Sequence, residues 1–596
     1  MENSSPSPRR ASAWPRSALW LAIVAGVLAT LPSVDIGFFL DDYAQIALME
    51  SWYPLQADPA NLYSFLGDLP LEDPWWKHPE FKVSMWRPLA SLLLRLDNRL
   101  FGHDPLPYHL HSMLWYLATL IACGLLFRRL LPPRLASLAL LVFAFDESHT
   151  LTAGWIANRY AMVAMVPTLL AVLAHLRWRE DGWRPGLPLS IAGYAVGLAA
   201  GEVALGVMAY VFAYELLRLR RRQDRRRTGL IPVSAVALGY AVWYKIGGFG
   251  ASHSGFYLDP TGQPLEFLRG AAGHVPALLA GALLGLPADL WFFAPAMRGA
   301  QVVAGAAAIV VFGVLTALAW PRLEETTRGA LAWLLPGAAF ALLPAAVAQP
   351  FDRVLVTPMI GVAVLLAALI GTWVKSARDA ASSFARRAPA AIGAFFLIAV
   401  HLVVAPLGKL ASQRFMAGEW KDLPLLADRI PVETAAGYRP HAVLLTAPDI
   451  VIGGFLGLMH GFRGHPPFAS WVSLSLAPHD HLVHRTGPRS LELEVLDGEL
   501  LSSEPERFHR PASERMQTGE RAVTPLFEAV VLETGEQGPV RVRFRFDRDL
   551  DDPQLVFLAW GDGEVERVRL PAVGESFRVV QHPGPMAAAL EDVSPF

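Results

Sequence analysis

The chain has 596 residues, 53% of them hydrophobic and only 17% charged, whereas soluble domains carry roughly 25% charged residues; these totals exclude an ordinary soluble protein and indicate membrane helices. The single cysteine, Cys123, excludes an intrachain disulfide and a cysteine-built metal cluster. A formal net charge of -2, with no nucleic-acid motif and no basic surface interleaved with aromatics, speaks against nucleic acid as a partner.

Residues 1–16, with Arg9, Arg10 and Arg16, precede the apolar run Ser17–Val34, and no clean small-x-small cleavage site follows. This predicts a retained signal anchor with a cytoplasmic tail over 1–16. Directly after it comes Asp-Ile-Gly-Phe-Phe-Leu-Asp-Asp, Asp35–Asp42. Two adjacent carboxylates at the mouth of a membrane helix are functional candidates, the alternative being a solvated helix cap.

Basic residues mark one side of the membrane: Arg128, Arg129 and Arg134; Arg177, Arg179 and Arg184; Arg322 and Arg328; Lys375, Arg378, Arg386 and Arg387; and the dense run Arg218 to Arg227. The positive-inside rule places them in the cytoplasm. Eleven spans follow, about 17–34, 108–127, 134–147, 157–176, 187–200, 202–218, 229–247, 300–320, 329–347, 354–374 and 389–407. Their parity puts the Asp41–Asp42 loop, His149–Arg159, Glu202, Phe351–Arg353 and everything after 408 on the far side. The segment 264–290 would break that parity if it spanned, so a helix lying against the outer face is expected there.

The first external loop, 35–107, contains Trp86–Leu100, whose leucines share one helical face; an interfacial amphipathic helix is expected. From Lys421 onward apolar runs shorten and alternate. Ala442–Thr446, Trp471–Leu476, Ser490–Val495, Phe527–Leu532, Val540–Phe546 and Leu555–Ala559 read as strands, with a turn at Gly561–Gly563. The fold expected is a polytopic α-helical membrane protein: a transmembrane catalytic domain over 17–410, and over 411–596 an external soluble domain of mixed α/β or mostly β character.

Polar residues that remain at the external membrane face suit group transfer from a lipid phosphate. Asp41, Asp42, Asp146, Glu147, His149, Glu202 and Asp352 are candidate acids or site-organising groups; Arg87, Arg159, Arg353 and Lys245 are cations at similar depth. An aspartate can take the proton of an acceptor hydroxyl, and arginine can hold a phosphate through two hydrogen bonds. Each also has a structural reading. His149 can cap a helix end, Arg159 and Arg353 can pair with Glu202 and Asp352, and Lys245 can snorkel. His253, His274, His460, His465, His479, His481 and His484 read as surface or loop residues, although His479–His484 has metal-like spacing.

Phe39-Leu40-Asp41-Asp42-Tyr43, Trp86-Arg87-Pro88-Leu89, Phe101-Gly102 and Tyr108-His109-Leu110 resemble the opening of the GT-C membrane glycosyltransferases. The likeness is greatest to the protein O-mannosyltransferase group, including its transmembrane tetratricopeptide members. Phe143-Ala144, His149-Thr150 and Trp155-Ile156-Ala157-Asn158-Arg159 are similar to its next motif, Glu202 to the Glu of its Lys-Glu pair, and Asp352–Gly361 to E-R-Y-L-Y-L-P-S-x-G. The resemblance covers about 17–375. It departs at Asp146, Glu147, Leu151 and Gly201, and no tetratricopeptide tail is present.

The resemblance implies inverting transfer of a sugar from a polyprenyl-phosphate donor to a hydroxyl of a protein, glycan or lipid acceptor. Asp41 would be the base and Asp42 its orienter, or the reverse; Arg353, Arg159 and Arg87 would meet the donor phosphate. Glu202, His149, Asp146, Glu147 and Asp352 would organise the site, or help hold a divalent metal if one is used. The Ala/Arg/Leu-rich composition suits a bacterial inner membrane, with the site in the periplasm. The competing expectations are a lipid-linked glycan flippase, polymerase or ligase, and a non-catalytic envelope scaffold.

Overall fold

The structure is a computed structural model, described for residues 17–52, 60–65, 74–218, 227–381, 383–432, 434 and 437–586. The tail 1–16 and the core of the arginine run, 219–226, lie outside the described residues.

Each of the eleven expected spans coincides with a helix. Among the described residues eight helices are long and apolar enough to cross a membrane, and one of them is Pro264–Leu284. Pro133–Phe145, Gly186–Ala200, Val203–Leu217 and Leu230–Ile246 are apolar but shorter. The protein is thus a multi-pass, mostly helical membrane protein with a sheet-containing C-terminal part. Proline opens the helices Pro105–Leu130, Pro133–Phe145 and Pro264–Leu284, where its missing N–H has no intrahelical partner to lose. Met359–Ile370 is buried residue by residue and forms the bundle centre. Val303, Val310, Val314 and Leu318 of Arg298–Ala319 are exposed, as suits a lipid-facing helix. Gly305 lets that helix approach the Pro276 carbonyl so closely that any Cβ there would collide with it.

Two tethers bear on the disputed segment. The His274 ring meets the Ala346 carbonyl at 3.0 Å, and beyond the helix end Asp289 Oδ1 accepts the Asp352 N–H at 2.9 Å. The middle of Pro264–Leu284 and the segment just beyond its C-terminal end are therefore tied to the one connection that follows Glu325–Ala345.

Residues 88–101 form the expected amphipathic helix, Pro88–Phe101. Leu92, Leu96 and Leu100 are exposed along one stripe, while Asp97 on the opposite face is buried. The long helical segment Phe384–Arg429 leads into the C-terminal part. There a six-stranded antiparallel sheet runs in the order Ser576–Val579, His481–Gly487, Ser490–Val495, Pro539–Phe546, Phe527–Thr534, Arg521–Val523. A four-stranded mixed sheet runs Val565–Arg567, Leu555–Trp560, His441–Leu444, Ser470–Ser473. Every residue of Leu555–Trp560 is buried, which fits a run of apolar residues paired on both edges.

Two of the histidine trio, His481 and His484, lie on a strand, which corrects the loop expectation for them, while His479 lies in the bend before it. His481 is buried against Ser475 and His484 bonds Ser576 across the sheet. His274 and His460 are likewise buried rather than at the surface. A small antiparallel sheet, Ser64–Phe65, Lys82–Ser84 and Gly250–Ser252, joins two loops of the membrane domain on the side that carries the C-terminal part.

Candidate active site

Asp41 and Asp42 open the helix Asp41–Met49. The residue before them, Leu40, has φ 41°, a conformation that disfavours any side chain and persists only where neighbours enforce it. The enforcing contacts are visible. Asp42 Oδ2 accepts the Phe39 N–H at 2.8 Å and its Oδ1 accepts the Ala157 N–H at 2.7 Å, while the Trp155 indole donates to the Phe39 carbonyl at 3.1 Å. His109 holds the Gly37 carbonyl at 2.8 Å, and the Tyr108 hydroxyl donates to the Gly102 carbonyl at 2.8 Å. Asp42 is 2% exposed and fully engaged. It is a brace, and the strained turn that it closes leaves Asp41 facing a cavity.

That cavity, about 470 Å³, lies between the membrane helices and the C-terminal sheets. Asp41, Glu147, Asp289, Asp352, Arg353 and Glu419 supply its charge; Phe39, Trp155, Tyr257, Phe351 and Trp420 supply aromatic wall; Trp471, Phe508 and His509 belong to the roof. The roof is fixed from below. Trp75 and Trp76 donate to the Leu474 and Glu506 carbonyls at 2.9 and 3.2 Å, and Arg298 pairs with Glu504 at 3.0 Å.

Arg353 sits with its guanidinium 4.9 Å from the Trp155 ring centre and 5.0 Å from that of Phe351. It makes no ion pair among the described residues, so its donors face the cavity. Burial pushes the Asp41 carboxyl up to about 6, against the opposing pull of Arg353 and then Arg87. Glu147 rises to about 7, through burial first and then the charge of Asp146. Asp352 and Asp289 are both raised by burial; the charge of Asp289 raises Asp352 further, whereas the Asp352 N–H and then Arg353 pull Asp289 down.

Several expected site residues lie elsewhere. Arg159 is 2% exposed, ion-paired to Asp97 and bonded to the Tyr108 carbonyl at 3.1 Å; it does not line the cavity and is not placed to meet a phosphate there. Arg87 is paired through two hydrogen bonds with Glu202 and stacked 3.4 Å over the Tyr160 ring centre. Both its charge and that of Glu202 are spent on each other outside the cavity lining. The alternative pairing also differs from expectation: Arg159 takes Asp97 rather than Glu202, and Asp352 accepts the Ala288 N–H rather than Arg353. His149 is fully buried against Phe143, its ring off the cavity. Asp146 accepts the Ser148 N–H at 3.0 Å. Lys245 is exposed at a helix end.

No protein-family model matches the sequence, and no curated protein does. Among solved structures the chain is similar to the archaeal oligosaccharyltransferase AglB from Archaeoglobus fulgidus in complex with an inhibitory peptide and a dolichol-phosphate, at 14% identity and TM-score 0.41 over 76% of this chain and 65% of that one. A second AglB structure, tethered to an acceptor peptide, matches at 11% identity and TM-score 0.39 over 74% and 63%. ArnT from Cupriavidus metallidurans bound to undecaprenyl phosphate matches at 13% identity and TM-score 0.38 over 76% and 86%. The chain thus spans under two-thirds of the AglB chains. These likenesses are slight, and the reading of the site rests on its own geometry.

Two charged residues, one lining the cavity and the other beside the cavity residue Glu147, carry no motif. Asp289 follows Gly-Leu-Pro-Ala in the segment whose course was ambiguous. Lys409 stands alone in an apolar stretch, is fully buried, and donates to the Tyr116 hydroxyl at 3.2 Å and the Ala144 carbonyl at 3.3 Å. A solitary lysine within a membrane segment was the available signal.

Proposed function

We propose that the protein is a membrane glycosyltransferase of the GT-C kind, moving a sugar from a polyprenyl-phosphate donor to an acceptor hydroxyl. The observation that carries this is the sharing of one aromatic-walled cavity by Asp41 and an Arg353 free of ion pairs among the described residues. In this reading Arg353 holds the donor phosphate, and the aromatic walls receive the sugar and the first part of the lipid. The acceptor oxygen attacks the anomeric carbon from the side opposite the phosphate. The carbon–oxygen bond to phosphate breaks with its electron pair leaving on the phosphate, and the acceptor proton passes to Asp41.

Inversion follows from that single displacement. The phosphate departs as an anion and needs no general acid, while Arg353 stabilises the charge that it gains. A base with a pKa near 6 is ionised at neutral pH and still accepts a proton readily. Glu147, Asp289 and Asp352, held toward their neutral forms, are hydrogen-bonding groups for sugar hydroxyls. The working face is the periplasmic side of a bacterial inner membrane.

The test uses the full chain in lipid nanodiscs with a panel of radiolabelled polyprenyl-phosphate hexoses and pentoses and an envelope extract as acceptor. Label moving from the lipid to an acceptor with one of these donors supports the proposal. Label that stays on the lipid with every donor, in protein of intact fold, contradicts it.

A further inference from the structure

Outside the cavity, three side chains from three separate parts of the chain converge. His78 lies in the first loop of the membrane domain, His253 follows the strand Gly250–Ser252, and Glu514 belongs to the C-terminal part. One ligand-capable atom from each lies within 4.8 Å of the others. His253 Nδ1 is 2.8 and 3.0 Å from the two Glu514 oxygens, and His78 Nε2 is 3.6 Å from Glu514 Oε2. The two imidazoles stack face to face, centres 4.0 Å apart and 8° from parallel. His253 is held at φ 53°.

We propose that His78, His253 and Glu514 form a binding site for a divalent transition metal, zinc being the best match to two imidazoles and one carboxylate. His78 binds through Nε2, His253 through Nδ1 and Glu514 through one oxygen, with water completing the shell. His253 Nε2 then donates its proton to Glu80, whose carboxylate is 3.2 Å away, the orienting contact that a metal-bound histidine ordinarily makes. His78 Nδ1 accepts the Glu80 N–H in the metal-free geometry, at 3.1 Å. The stacked rings hold their in-plane lone pairs nearly parallel, so the ion is met only when the His78 ring turns about its Cβ–Cγ bond. That turn, with the ring proton on Nδ1, exchanges the Glu80 N–H contact for the metal bond. The neighbouring cation, Arg510, is already neutralised by Glu520 at 3.1 Å.

The place of the site gives it a purpose. His78 donates its backbone N–H to the His509 carbonyl at 3.0 Å, and Arg510 donates to the Trp76 carbonyl at 2.8 Å. Trp76, Phe508 and His509 line the cavity. A metal here fastens the roof of the cavity to two loops of the membrane domain. It is a structural staple, distinct from the cavity carboxylates, and stands whether or not the protein transfers sugar.

The experiment is metal analysis of the full-length detergent-solubilised protein, stripped with chelator, reloaded with zinc chloride and passed through a desalting column. The wild type should retain about one zinc per chain and melt at a higher temperature when loaded. His78→Ala/His253→Ala should retain none and show no shift. Glu514→Gln, which keeps the shape of the side chain, should bind zinc about tenfold or more weakly, and it decides the matter if the double variant elutes as aggregate. Equal zinc content in the wild type and Glu514→Gln, or none in the wild type, overturns the proposal.

Discussion

Asp42 and Ala157 are joined by a 2.7 Å hydrogen bond from the Ala157 N–H to the buried carboxylate, which ties the turn before Asp41 to the loop that bears Trp155 and Arg159. The two adjacent aspartates thereby divide their work, one bracing and one facing the cavity. Replacing Asp42 with Ala strands two buried N–H groups at about 1–3 kcal/mol each. Asp42→Ala should therefore lower the thermal unfolding temperature markedly, whereas Asp41→Asn should leave it unchanged or raise it. Light-scattering-coupled thermal denaturation in detergent distinguishes the two.

The Arg159–Asp97 pair is buried on both sides, each side chain 2% exposed. Breaking such a pair by removing one partner destabilises by about 3–5 kcal/mol, because the other charge is left unpaired. Arg159→Met should accordingly fail on stability, and Arg159→Met combined with Asp97→Leu should recover much of it. A donor-phosphate role for Arg159 predicts the opposite, a stable variant without affinity for donor.

Arg353 should behave differently again. Arg353→Met should reduce kcat/KM for the donor by about 10²–10³-fold, comparable with the loss of one preorganised donor to developing charge, with little change in unfolding temperature. Arg353→Lys should recover only part, since an ammonium lacks the planar two-point grip. Steady-state transfer at varied donor concentration measures both.

Acid affects rate and stability in opposite directions. The Asp41 carboxyl is held at about 6 in the folded protein against an ordinary value of 3.8, and Glu147 at about 7 against 4.5. Folded values above the unfolded ones mean that the protein binds these protons more tightly when folded. The stabilisation from protonation is complete below the unfolded values and is lost as pH rises through about 6 and 7. The unfolding temperature should thus rise as pH falls from 8 toward 5, by less in Asp41→Asn. Transfer should instead decline below about pH 6 as the base is protonated. Because Arg353 is the chief influence lowering the Asp41 value, Arg353→Met should move that limb to higher pH.

The membrane helices were legible because an apolar run of spanning length has few alternative uses, and arginine clusters fix the ends that carry them. The strands from Ser490 to Phe546 were legible through alternation, and His481–Gly487 was missed because its two histidines broke the apolar pattern. Neighbouring aspartates could be recognised as a pair but not told apart. Which one is buried depends on φ at Leu40 and on an N–H contributed by Ala157, neither of which a sequence pattern encodes. Arg159 and Arg353 look alike in sequence for the same reason. One meets Asp97 across the bundle and the other meets aromatic rings without an ion pair among the described residues, a difference made by long-range packing. The roof of the cavity, brought down from the C-terminal part, has no local signature at all.

The central claim, that Asp41 takes the acceptor proton, is tested most directly by the rate of sugar transfer in Asp41→Asn set beside the wild type, with membrane insertion and unfolding temperature checked in both. The account predicts a fall in kcat of about 10²–10⁴-fold with donor binding retained and the fold intact. Transfer by Asp41→Asn within a few-fold of the wild-type rate would contradict it.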